Sequence, residues 1–259
     1  MISTLFIDLD GTLVDSKLAF QILFDNLADK YLPGRNLGRE LEKSFRKHCA
    51  DAFKTLPHTD YLNGIGWGWD NMFYSDFSGE DSRLVDLKNA ADGYRYLVLN
   101  STLNEYGVAD RTLIKSMVTF MQEKWLGFYR TYTDTFAFLD ECKNYTKYIL
   151  TNGFVDIQMK KIHYCGLYDK FDGIYISGMY GFGKPDSKYF QNVLSSTGVD
   201  INSTVMIGNS LSSDIVGAVN VGIKTIWKKE MNISENEKNI SPTAIIENLI
   251  EITSVLNSM

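Results

Sequence analysis

The residues with the clearest capacity for chemistry stand near the start of the chain. An apolar run of Leu5, Phe6 and Ile7 ends on Asp8, and Asp10, Gly11 and Thr12 follow at once. Side chains alternate along an extended segment, so the two carboxylates emerge on one side. Like charges that close repel unless a cation lies between them or one carries a proton. A buried strand that delivers them into a glycine turn suits divalent-metal and phosphate chemistry, although a plain strand end before an Asp-Gly turn has the same residues. Three more polar stretches recur down the chain: Thr151-Asn152-Gly153, Lys184-Pro185-Asp186, and Gly208-Asn209-Ser210 with Asp214. Each alone fits turn or helix-cap chemistry; four together need elements that bring them to one place.

Helical periodicity covers 18–31, 37–53, 81–104 and 111–129, while 57–79 is dense in glycine and aromatics, among them Trp67, Trp69, Phe73 and Tyr74. No strand is expected between Asp15 and Tyr132, so a helical block is predicted as an insertion after the first strand. From 145 onward, strand-like runs at 147–150, 171–177, 204–207 and 223–227 alternate with helical stretches at 155–164, 187–197 and 214–220. That alternation predicts an α/β fold, a Rossmann-like parallel sheet core with an inserted all-helical cap domain. The expected boundaries are 1–15 and 130–259 for the core and 16–129 for the cap. The four polar stretches then fall at or just after the C-terminal ends of strands, where open α/β sheets bind ligands. Residues 228–242 read as an exposed polar loop and 244–256 as a helix docked on the sheet edge.

A hydrophobic content of 44% is ample for a packed core. The net charge of -6, with no long basic run, argues against nucleic acid or an anionic membrane as partner, and a local cation still permits a small anionic substrate. No apolar run approaches the roughly 18 residues of a membrane span. The three cysteines, Cys49, Cys142 and Cys165, lack CxxC spacing and read as reduced thiols. Without a basic-then-apolar leader, a cytoplasmic protein is expected, monomeric or homodimeric. His48, His58 and His163 lack ligand-like spacing. The aromatics of 57–79 could stack a ligand or form the cap's own core, and the second is the expectation.

Taken in order, DLDGTLVDS at 8–16, ILTNG at 149–153, GKPD at 183–186 and IGNSLSSDI at 207–215 resemble the haloacid dehalogenase superfamily, in the branch with a helical cap between the first and second motifs. The core resemblance covers about 2–15 and 130–230; the cap is similar only in position and helical character. Within the family the core is most similar to nucleotidase-like and N-acylneuraminate-9-phosphatase-like phosphatases. The resemblance implies a Mg²⁺-dependent phosphomonoesterase acting through an aspartyl-phosphate on a small phosphorylated metabolite, either a nucleoside 5′-monophosphate or a sugar phosphate. It implies Asp8 as nucleophile, Asp10 as acid and then base, Lys184 as the neutralising cation, and Thr151 with Asn152 as donors to the phosphoryl oxygens. Gly11, Thr12 and Gly153 complete the implied substrate loops, and Asp8, Asp10, Asn209 and Asp214 the implied metal site. Asp10 argues against a dehalogenase, whose motif lacks this second acid. The fourth motif departs from the family pattern: Asn209 stands where an Asp is usual, which predicts weaker metal binding. A phosphomutase, or a weakened binding or regulatory homologue, are the alternatives that follow.

Overall fold

The computed structural model describes residues 1–35, 37–79, 81–229 and 241–259. Its sheet, six strands among the described residues, has the order β3-β2-β1-β4-β5-β6. The strands are β1 (Thr4–Ile7), β2 (Thr146–Thr151), β3 (Gly173–Ile176), β4 (Thr204–Gly208), β5 (Lys224–Lys228) and β6 (Ala244–Ile246). Every pairing is parallel, with Ile7 opposite both Ile149 and Ile207. β1 therefore lies at the centre, buried along its whole length. Strands covered on both faces read as continuous apolar runs, which explains Leu5-Phe6-Ile7 and Val205-Met206-Ile207.

The chain divides into two compact units. One comprises Met1–Asp15, Arg130–Asn152 and Cys165–Met259 and holds the sheet. On one of its faces Phe6, Leu150 and Met206 pack with Tyr189, Phe190 and Val193 of α9 (Ser187–Thr197) and with Ala218 of α10 (Val216–Asn220). Asp134, just before α7 (Thr135–Glu141), accepts from the Leu249 N–H at 2.7 Å and so ties that helix to the segment leading into α11 (Ile252–Asn257).

The other unit is helical and comprises Ser16–Tyr129 with Gly153–Tyr164. It contains α1 (Ser16–Tyr31), α2 (Gly38–Ala52), α3 (Thr59–Gly64), α4 (Trp69–Tyr74), α5 (Ser82–Asn104), α6 (Arg111–Lys124) and α8 (Val155–Tyr164). Trp69 packs among Phe20, Phe24, Phe45, Phe73 and Tyr74, and Tyr74 stacks flat on Trp125 at 4.6 Å. The aromatic segment is thus the core of its own unit. Polar groups on α8 and just before it dock there too: Asn71 Oδ1 accepts from the Phe154 N–H at 2.8 Å, Asp156 accepts from Ser75 at 2.9 Å, and buried Lys161 lies 3.4 Å from buried Asp70. Those contacts group α8 with the helical unit, whereas the sequence reading placed it with the sheet.

Three local expectations change. Residues 244–256 are not one helix: Ala244–Ile246 pairs with β5 as the edge strand, because its β-branched run suits a strand and Asn248 caps the helical turn that follows. The short helix α7 follows Asp134 where no element was predicted. Of the expected loop 228–242, residues 230–240 lie outside the described residues, and Lys228 belongs to β5 and is buried. No helix among the described residues is long and apolar enough to cross a membrane. The three cysteines are free thiols.

Candidate active site

Three central strands end on the candidate residues: β1 runs into Asp8, β2 ends at Thr151, and β4 ends at Gly208 before Asn209. The Asp8 N–H continues the sheet by donating to the Ile207 carbonyl at 2.9 Å, which fixes where its carboxylate emerges. The chain then turns: Gly11 donates to the Val14 carbonyl at 2.8 Å, and Asp10 and Val14 form an isolated bridge. Gly11 has φ +84°, a region other residues rarely enter, and a Cβ there would collide with the Asn209 side-chain amide. The first and fourth motifs are therefore in direct contact.

Asp8 is 6% exposed and both its oxygens are held. Lys184 Nζ donates to Oδ1 at 2.6 Å, and the Thr12 hydroxyl donates to Oδ2 at 3.0 Å. Lys184, itself buried, also donates to the Leu150 carbonyl at 2.7 Å and pairs with Asp214 Oδ1 at 2.7 Å. Asp214 Oδ2 accepts from the Ser210 N–H at 3.0 Å. The second and third motifs are locked by a two-way contact: Asn152 Oδ1 accepts from the Lys184 N–H at 2.9 Å while Asn152 Nδ2 donates to the Lys184 carbonyl at 2.8 Å.

The electrostatics follow from this burial. Desolvation pushes the Asp8 carboxyl up to about 7; Lys184 pulls it down, while Asp214 and Asp10 push it further up. Burial works against the charge on Lys184, yet Asp214 and Asp8 together outweigh it and hold that ammonium above its ordinary value. The array is a lysine clamped between two carboxylates, with a third acid close by.

The geometry brings Asp8, Asp10, Gly11, Thr12, Thr151, Asn152, Lys184, Asn209 and Asp214 into the sheet-bearing unit; Gly153 groups with the helical one. Thr12 is fully buried with its hydroxyl on Asp8, so its place is behind the carboxylate and the expected substrate contact gives way to an orienting one. Asn152 contributes through its side chain, which holds the Lys184 backbone from both ends of the amide. Two residues escaped the sequence reading. Trp227 Nε1 donates to the Asn209 carbonyl at 2.9 Å, and Lys228 Nζ donates to the Gly11 carbonyl at 3.1 Å. Their position at a strand's C-terminal end was the available signal, and the polar run after 228 hid it.

Whether the site suits Mg²⁺ can be judged from its donors. Among the described residues no group of three His, Cys, Asp or Glu side chains is assembled to hold a metal. Asp214 pairs with Lys184 and accepts from the Ser210 N–H, much as Asp8 is held by Lys184 and Thr12, so neither carboxylate is set aside by its partners. The candidate donors are the Asp8 and Asp214 carboxylates, the Asp10 main chain and the Asn209 amide oxygen, all hard donors of the kind Mg²⁺ takes with water. The upward push on Asp8 from Asp214 and Asp10 is a surplus of negative charge that a cation relieves. The donor set fits, with fewer charges than a three-carboxylate site.

Comparison with known proteins agrees with this constellation. The profile of the haloacid dehalogenase-like hydrolases matches residues 2–222. A phosphoserine phosphatase of Thermus thermophilus is 28% identical over 251 residues, spanning 96% of each chain. The pyrimidine 5′-nucleotidase YjjG of Escherichia coli is 35% identical over 109 residues, 42% of this chain and 48% of that one. Among solved structures, the HAD-hydrolase YfnB of Bacillus subtilis, bound to magnesium, superposes with a TM-score of 0.66 over 99% of both chains at 23% identity, a likeness of fold.

Proposed function

The chain belongs to the haloacid dehalogenase-like hydrolase family, and on that premise we propose that it is a Mg²⁺-dependent phosphomonoesterase that works through an aspartyl-phosphate. The observation that carries this reading is the carboxylate of Asp8, buried, held at both oxygens by Lys184 and Thr12, and placed at the end of the central strand. Its carboxylate oxygen attacks phosphorus and the ester oxygen leaves. Asp10 gives that oxygen a proton, then takes one from the water that attacks the phosphoenzyme, so that inorganic phosphate departs and Asp8 is restored. Thr151 and the Asn152 N–H donate to the phosphoryl oxygens, and Lys184 offsets the charge that develops there. Gly11 and Gly153 let the backbone come close to the phosphate.

Asp8, Asp10, Asn209 and Asp214 would hold Mg²⁺, whose charge would screen the phosphate dianion from the incoming carboxylate. Asp214 also holds Lys184 in place. The substrate class is a small phosphorylated metabolite, a nucleoside 5′-monophosphate or a sugar phosphate; the relatives named as phosphatase and nucleotidase support the ester class. The sheet-bearing unit acts as catalytic core and the helical unit as its cap, in a cytoplasmic protein. The test is phosphate release from a panel of nucleotides, sugar phosphates and phosphoserine, with Mg²⁺ titrated from micromolar to tens of millimolar, beside Asp8→Asn. Metal-dependent release that vanishes in the variant supports the reading. No release from folded protein at any metal concentration refutes it.

A further inference from the structure

β5 ends on two residues whose donors land on the backbone of the two loops that meet at the site. Trp227, 2% exposed, reaches the Asn209 carbonyl at 2.9 Å, and Lys228, 5% exposed, reaches the Gly11 carbonyl at 3.1 Å. Successive side chains leave a strand on opposite faces, so one strand end fastens one loop from each side. The carbonyl of a peptide plane fixes the N–H of the next residue. The Asn209 carbonyl thus orients the Ser210 N–H, which donates to Asp214 Oδ2; Asp214 pairs with Lys184, and Lys184 donates to Asp8 Oδ1. The Gly11 carbonyl orients the peptide to Thr12, whose hydroxyl donates to Asp8 Oδ2. Both grips on Asp8 therefore trace back to neighbouring residues of β5.

Packing alone does not account for this choice of residues. A phenylalanine would fill much of the space of Trp227 without an N–H, and a methionine would match the stem of Lys228 without a charge. A buried ammonium is disfavoured by desolvation unless it is compensated. The Lys228 charge lies against the Gly11 carbonyl and 3.7 Å from the centre of the Tyr132 ring, a cation–π contact. Tyr132 donates its N–H to the Leu13 carbonyl, so the ring belongs to the segment that pairs with the end of the same loop. We infer that Trp227 and Lys228 are positioning residues that hold the two oxygens of Asp8 in their reactive orientation. This rests on Asp8 being the nucleophile proposed above.

The test compares Trp227→Phe, Lys228→Met and Lys228→Arg with wild type, and with Lys224→Met at the far end of the same strand as a control. Outer partners of this kind typically change activity by about 10–100-fold. The expectation is a fall of that size in kcat for Trp227→Phe and Lys228→Met, with KM moved far less. Lys228→Arg, which keeps donor and charge, should recover much of the loss, and Lys224→Met should stay within about twofold of wild type. A readout independent of turnover is amide hydrogen exchange, which should quicken at Ser210 in Trp227→Phe and at Thr12 in Lys228→Met. A purely structural role would lower the melting temperature yet leave kcat, measured well below it, within about twofold and the two amides unchanged; that result overturns the inference. Should wild type release no phosphate from any ester, the proposed function falls, and the exchange of the two amides still decides the role of this strand end. Should Lys228→Met not fold, Trp227→Phe and Lys228→Arg decide the matter by the same readouts.

Discussion

Replacing Asp8 with Asn should abolish turnover and, in the absence of metal, stabilise the protein in a pH-dependent way. In the folded chain burial raises this carboxyl from 3.8 to about 7, even with the pull of Lys184 included. The folded state therefore binds the proton more tightly than the unfolded chain. The sign follows: below about pH 4 both states are protonated and no cost exists. The cost grows as pH rises through the interval between the two values, and is constant above about 7. About three pH units at about 1.4 kcal/mol each amount to about 4 kcal/mol, as an order of magnitude. Asn mimics the neutral acid. Urea unfolding in the presence of a chelator should thus find the variant and wild type nearly equal at pH 4, and the variant more stable by a few kcal/mol at pH 8. Millimolar Mg²⁺ should then raise the stability of wild type at pH 8 and leave the variant nearly unmoved, because only wild type offers the ion its charge. A variant less stable than wild type at pH 8, or a gap of equal size at both pH values, would refute the reasoning.

Two further outcomes can be checked separately. Asn209→Asp adds a carboxylate to a donor set that has only two carboxylates, so half-maximal activity should need about tenfold less Mg²⁺; an unchanged or higher requirement in a metal titration would count against Asn209 as a ligand. Within the helical unit, Lys161→Met or Asp70→Asn removes one member of a buried ion pair 3.4 Å apart and should cost about 3–5 kcal/mol of stability. Asp70→Leu with Lys161→Met should cost less than either single change, and denaturant midpoints of the three variants would show whether it does.

Much of the sheet could be read from the chain because its strands are buried on both faces and so appear as unbroken apolar runs. The polar stretches were legible for a related reason: three sit where such a run stops, and Lys184-Pro185-Asp186 stands in the loop that follows β3. What escaped was information held in contacts between distant residues. Nothing local in Thr12 says that its hydroxyl turns inward to Asp8, and nothing in Asp214 says that both its oxygens are engaged. Lys228 looked like the first residue of a polar loop because hydropathy cannot tell a solvated lysine from one buried on a carbonyl and an aromatic face. The strand Ala244–Ile246 was mistaken for the start of a helix because three residues are too few to show a period. Helix α8 has the spacing of any crossover helix; only its polar partners Asp70, Asn71 and Ser75 reveal which unit it packs with.

The sheet-bearing unit closes on itself where the long helical segment departs. The Asp15 N–H donates to the Arg130 carbonyl at 3.0 Å, and Val14 bridges Thr131. The two ends of everything between Ser16 and Tyr129 are therefore neighbours, already joined as if by a turn. The entropy of closing a loop grows only with the logarithm of its length, so this junction accepts an insertion of almost any size at similar cost. It equally invites the reverse operation, a short turn in place of the whole segment. The obstacle to such a minimal chain is not the junction but α8, whose buried Ile157 and Ile162 would need new cover. Evolution could thus exchange what lies between 15 and 130 freely, provided each replacement brought its own surface for that one helix.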